Sequence, residues 1–247
     1  MSKKKLFYLA IVVVMIAILS FSTLAWFYAE DKVTNKFEIS DSLTKFDVDV
    51  WEVVPGDTEG TTKDVGKGTK GETDGAAFKD VIPGVEYQKT VHVTNSSGNV
   101  LADQYIMAKV TFTNYSALKE LGATSADYDC TGMLTGGKFS ADGTANCDWW
   151  YDAAATVVDN QKDTVTYTFY LKKVLKNGED VVLFDKVKLP ESMDIEDVED
   201  LKNAGFDIKV VAYSVQSANI VDSTNLSAHE AAKAAFVVYN TPTIQPE

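Results

Sequence analysis

Thr164-Val165-Thr166-Tyr167-Thr168-Phe169-Tyr170-Leu171, running on to Leu175, is the stretch that decides the fold class. Val165, Tyr167, Phe169 and Leu171 alternate with Thr164, Thr166, Thr168 and Tyr170. A period of two over β-branched and aromatic residues specifies a strand, not a helix. Lys176-Asn177-Gly178-Glu179 then reads as an Asn-Gly hairpin turn. Val181-Val182-Leu183-Phe184, with Val187 and Leu189, reads as the returning strand.

The same alternation recurs on both sides. Upstream, Tyr105 to Thr113 places Ile106, Ala108, Val110 and Phe112 on one face, and Val85 to Asn95 alternates in the same way. Pro83-Gly84 before it predicts a type II turn, with proline presetting φ and glycine supplying the positive φ; Asn95-Ser96-Ser97-Gly98-Asn99 predicts the turn after it. Phe46-Asp47-Val48-Asp49-Val50 alternates, Trp51, Val53 and Val54 continue the apolar character, and Pro55-Gly56 ends it. Downstream, Phe206 to Gln216 is a long strand, inward at Phe206, Ile208 and Val210. Helical signals are short. Ser116 to Gly122 gives one or two turns, and Asp194 to Leu201 has an Asp cap and a Gly205 stop. Ser227-x-x-Glu230 is a capping box opening an Ala-rich helix from Ala228 to Phe236. Strands joined by turns, few helices and no β-α-β alternation predict an all-β chain, an antiparallel two-sheet β-sandwich. The sandwich is assigned to 44–240, with a loose tail at 241–247.

Asp57 to Gly75 has Val65 as its one apolar residue and is expected to be a mobile loop, because it buries too little to offset chain entropy. Gly66-x-Gly68-x-x-Gly71 within it spells a dinucleotide fingerprint without the strand and helix that fingerprint needs. Cys130-to-Cys147 carries Gly132, Gly136-Gly137 and Asp142-Gly143, and Phe139 among them suggests a small hairpin. Trp149-Trp150-Tyr151 follows, to be read either as core packing or as a sugar- or partner-binding patch.

Charge excludes some partners. The formal net charge is −13 with a hydrophobic content of 45%, and the chain contains no arginine. An acidic surface repels nucleic acid and anionic lipid, and without arginine there is no bidentate phosphate grip. Loose cation binding stays compatible, calcium included, but no spaced Asp loop of the D-x-D-x-D-G kind occurs. No cofactor is implied.

The beginning of the chain reads as an export signal. Lys3-Lys4-Lys5 precedes the uncharged stretch Leu6 to Phe27, and cations hold that end on the cytoplasmic side. Thr23-Leu24-Ala25 offers small residues to a signal peptidase, which places the cut between Ala25 and Trp26 and makes 1–25 a signal peptide. The other reading is an uncleaved anchor, since the stretch would span about 33 Å as a helix. Contact with the membrane is expected through this segment alone, before cleavage. Losing the three lysines takes the charge from −13 to −16. Cys130 and Cys147 are then both exported, and an even count in an oxidising compartment predicts a disulfide, with a metal pair as the alternative.

Several of these stretches resemble one family. Thr23-Leu24-Ala25-Trp26-Phe27 followed by Asp31-Lys32-Val33-Thr34-Asn35-Lys36-Phe37 resembles the signal of proteins processed by the SipW-type signal peptidase, the TasA/camelysin family of Gram-positive bacteria. Pro83-Gly84 with Lys89, Val91, Val93, Asn95 and Gly98 is similar to that family, as is Tyr105-Ile106, although Met107 stands where arginine is common. So are Tyr170-Leu171-Lys172-Lys173-Val174-Leu175 with Gly178-Glu179, Leu183-Phe184-Asp185 and Val187, and the closing Ile208, Val210, Ala212, Val215 and Gln216. The resemblance implies a jelly-roll-like sandwich, secretion to the extracellular space or cell surface, and a role in biofilm matrix fibres. Its implied partners are further copies of itself or related fibre subunits, and the SipW-type peptidase.

Camelysins are classed with metallopeptidases, so zinc chemistry must be weighed. His229-Glu230-Ala231-Ala232-Lys233 puts a lysine where a zinc helix needs its second histidine, and a protonated amine repels the ion. His229 reads better as part of the capping box and His92 as an exposed strand residue. Asp47 and Asp49, two apart on a strand, read as a solvated face. No catalytic or metal-ligating set emerges.

The leading expectation is therefore an exported fibre subunit. After the cut, 26–43 becomes an N-terminal arm whose Val33, Phe37 and Ile39 alternate with polar residues, suited to complete a neighbour's open sheet edge. The alternatives are an adhesive module using Trp149, Trp150 and Tyr151, and a camelysin-like metalloprotease.

Overall fold

The structure, a computed structural model, describes residues 28–32, 47–56, 61–67, 78, 81–97, 103–121, 130–141, 147–191, 205–218 and 226–240. The signal stretch, Val33, Phe37, Ile39 and the expected helix at 194–201 lie outside them. Among the described residues, no helix is long and apolar enough to cross a membrane.

The chain is built mostly of strands. In order they are β1 Tyr28–Lys32, β2 Asp49–Pro55, β3 Thr62–Val65, β4 Glu86–Thr94, β5 Gln104–Thr113, β6 Leu134–Thr135, β7 Phe139–Ser140, β8 Trp149–Tyr151, β9 Val157–Asp159, β10 Thr164–Leu171, β11 Asp180–Lys188 and β12 Ile208–Gln216. Helix α1 is Tyr115–Leu121 and helix α2 is Ala228–Asn240. Short 3₁₀ turns stand at Cys130–Met133 and Ala153–Ala155.

The strands form two sheets. One runs β1-β12-β5-β10-β8-β7, with β9 also on β10, and the other runs β3-β2-β4-β11-β6. All pairs are antiparallel except β7 with β8, a departure from the purely antiparallel expectation. Ile106, Ala108, Val110 and Phe112 of β5, with Val165, Tyr167, Phe169 and Leu171 of β10, face Val50, Val91, Val93 and Leu183 of the other sheet in one apolar core. Each large aliphatic or aromatic side chain buried there contributes roughly 1.5–3 kcal/mol. The alternations read in β4, β5, β10 and β12 are thus the inward faces.

The Asn-Gly turn, however, is not a hairpin. β10 pairs with β5, β8 and β9, whereas β11 pairs with β4 and β6. The segment between them is a corner that carries the chain from one sheet to the other. Leu175 is bridged to Gln104 of the first sheet, while Asn95 N and Gly178 N exchange bonds with Glu179 O and Asn95 O beside the second. A type I′ hairpin needs positive φ at both central residues. Gly178 has φ +76°, but among the described residues the non-glycines with positive φ are Asn114 and Asp163, so Asn177 does not supply the other half.

Three further expectations change. The small hairpin around Phe139 does not form, because β6 joins β11 and β7 joins β8, in different sheets. Gly136, at φ +64° and tight against Asp185, lets the chain cross between them. Residues 62–65, inside the expected loop, form β3 on the edge of β2, stabilised by backbone pairing and not by apolar burial. In β2 the inward residues are Val50, Glu52 and Val54, continuing from Val48 just before it, so Trp51 faces outward and a carboxylate faces inward.

Helix α2 covers the outer face of the first sheet. Ala231, Ala232, Ala235 and Phe236 pack on Tyr105, Met107, Tyr170 and Val215. The expected box opens it: Glu230 Oε2 accepts from Ser227 N at 2.9 Å and from Ser227 Oγ at 2.6 Å. Those bonds hold the Glu230 carboxyl below its usual range.

Candidate functional site

The arm is where the sequence places function, and its described part is β1. Tyr28–Lys32 pairs antiparallel with Val211–Val215, in the register Tyr28↔Val215 to Lys32↔Val211. β1 is terminal in the strand order, and β12 is its one hydrogen-bonding neighbour there among the described residues. β12 in turn pairs along its whole length with β5, from Ile208↔Phe112 to Gln216↔Gln104. A rigid inner strand therefore carries a short outer one. An edge strand on a fully paired support is the arrangement that strand exchange requires, since removing it leaves a preformed row of backbone donors and acceptors.

The aromatic triplet does not form a patch. Trp149 and Tyr151 point into the core, Trp149 being fully buried with Nε1 donating to Val182 O at 2.9 Å. Trp150 points the other way, donates to Ala141 O at 3.1 Å, and stacks on Tyr170 with ring centroids 5.7 Å apart. His229 lies 5.0 Å from the Trp150 ring and Lys233 Nζ lies 5.1 Å above it. Consecutive strand residues face opposite sides, so three in a row cannot present one surface. The adhesive reading loses its site.

His229 is accordingly a packing residue of α2. Burial pushes its pKa down, Glu230 pulls it up and Lys172 pushes it down again, the net being below the usual imidazole value. Lys233, on the same helix, reaches the buried carboxylate of Asp152 at 2.5 Å.

His92 sits in a cluster that sequence reading missed. It stacks on Trp51 with centroids 4.0 Å apart and planes 12° apart, and its Nδ1 is 2.6 Å from Asp180 Oδ2. Thr94 Oγ1 donates to Asp180 Oδ1 at 2.8 Å and accepts from Trp51 Nε1 at 3.0 Å. Lys67 Nζ lies 3.9 Å over the Trp51 ring. Cross-strand neighbours of period two could have signalled it, had the pairing of β2 with β4 and β11 been known. Both faces of the indole are covered, so the cluster knits β2, β3, β4 and β11 and offers no stacking platform. No group of three or more His, Cys, Asp or Glu positioned for a metal occurs among the described residues.

Cys130 and Cys147 are not linked to each other in this structure. Cys130 is buried, with its N–H donating to Tyr167 Oη at 3.0 Å. Cys147 Sγ lies 3.2 Å from Trp149 O, and Trp149 registers with Leu171.

Comparison with known protein families, with characterised proteins and with solved structures finds no match to this chain.

Proposed function

We propose that this chain is an exported structural subunit of extracellular matrix fibres, a jelly-roll-like sandwich that polymerises by exchange of its N-terminal arm. A signal peptide cut between Ala25 and Trp26 by a SipW-type peptidase frees the arm, and the product acts outside a Gram-positive cell. The observation that carries this reading is the pairing of arm residues Tyr28–Lys32 with the edge of β12. The same backbone row that holds a chain's own arm will accept the identical arm of a second copy, because main-chain hydrogen bonds do not distinguish the two.

The acidic balance of the chain fits a soluble precursor that stays dispersed until it assembles. The two histidines pack with Trp51 and Asp180 in one case and with Trp150 and Ser227 in the other.

Deleting 26–40 from the secreted form tests the proposal. The shortened chain should remain a folded monomer that forms no fibres by electron microscopy. Fibres that persist without those residues would refute it.

A further inference from the structure

Two opposite charges stand side by side in the buried layer between β2 and β4. Glu52 of β2 and Lys89 of β4 are 4% and 5% exposed, on the inward faces of adjacent strands. Lys89 Nζ lies 2.5 Å from Glu52 Oε1, and Glu52 Oε2 is buried with no hydrogen-bond partner among the described residues. Val91 and Val93 continue the same face of β4, and Val50 and Val54 flank Glu52 on β2. An ion pair taken out of water is favourable only with good geometry and with its remaining donors and acceptors satisfied. Here one carboxylate oxygen is buried with no hydrogen-bond donor among the described residues.

We propose that Lys89 and Glu52 condense into an amide that cross-links β2 to β4. A proton passes from the ammonium to the carboxylate, leaving an amine with a free lone pair beside a neutral acid. Nζ attacks Cδ of Glu52 and the C–N bond forms. One carboxyl oxygen departs with two of the protons that Nζ carried, and its C–O bond breaks. Amide and one water are the products, with no oxidant, reductant or external reagent. Fixed placement at contact distance supplies the high effective concentration that this reaction lacks in solution. The apolar core withholds the water that would reverse it, and both buried charges disappear. For a subunit loaded in tension along a fibre, the bond would tie two neighbouring strands by covalent linkage.

The test is the intact mass of the folded, secreted-form chain, followed by mass spectrometry of its proteolytic peptides. The expected mass is lower than the sequence mass by one water, with the peptide bearing Glu52 joined to the one bearing Lys89. Lys89→Met should restore the full sequence mass, and Glu52→Gln should give a chain lighter by one ammonia. A folded wild-type chain at its full sequence mass, with the two peptides separate, overturns the proposal whatever the variants do.

Discussion

Trp149 and Trp150 are neighbours on β8 that serve opposite layers: Trp149 Nε1 bonds to Val182 O across the core, and Trp150 stacks on Tyr170 beneath α2. Truncating them should therefore have unequal effects. Trp149→Ala removes a fully buried indole and should destabilise by about 3–5 kcal/mol, the range for large core truncations. Trp150→Ala loses a half-buried stacking partner and should cost about 1 kcal/mol. Urea denaturation of both variants checks this; equal stabilities, or a wild-type melting temperature for Trp149→Ala, would contradict the assignment of Trp149 to the core.

Alkaline stability should report the α2 interface. Burial, and then the charge of Asp152, push the Tyr170 hydroxyl up to about 12 from its ordinary 10.0. An unfolded tyrosine ionises near 10 while the folded one keeps its proton, so this contribution is intact below pH 10 and is lost as pH climbs toward 12. Its size is on the order of 2 kcal/mol. Burial also pushes Tyr213 up, in the same sense. Melting curves across this range, with tyrosinate absorbance, should show the loss, and Tyr170→Phe should flatten it.

The corner at Gly178 gives a third expectation. Its φ is +76°, and an added Cβ would meet nothing within 4 Å. Gly178→Ala should therefore cost only the conformational penalty, about 1 kcal/mol, with no change in fold. Gly136→Ala should cost more, since its φ is +64° and a Cβ would come to 3.0 Å of Asp185 Cβ. Reversal of that order in chemical denaturation would contradict the corner geometry.

The long strands were legible, because period-two alternation reports which side of a strand is buried. β4, β5, β10 and β12, the Pro83-Gly84 turn and the Ser227–Glu230 box all follow from local residues. Val85 N donating to Ile82 O at 3.2 Å, with Gly84 at φ +80°, closes the predicted type II turn. What alternation cannot report is the partner. Asn177-Gly178 looks like a hairpin turn locally, yet whether the next strand pairs with β10 or crosses to β4 depends on residues eighty positions away, as Asn95 bonding to Leu175 O shows. The inward Glu52 was hidden for the same reason: a charge in an apolar run reads as solvated until a buried partner such as Lys89 is found. Trp149-Trp150-Tyr151 could be read as core or as a binding patch until its strand register placed Trp149 and Tyr151 inward and Trp150 outward.

The most direct test of arm exchange is covalent trapping at β1 and β12. Ala29 and Ser214 are Cα partners, close enough for a disulfide between opposed strands. Ala29→Cys with Ser214→Cys, in a chain carrying Cys130→Ala and Cys147→Ser, should be oxidised after assembly and run on a non-reducing gel. The account predicts a ladder of covalent multimers that collapses to single chains on reduction. Assembled material that oxidises only within single chains, leaving no ladder, would contradict it.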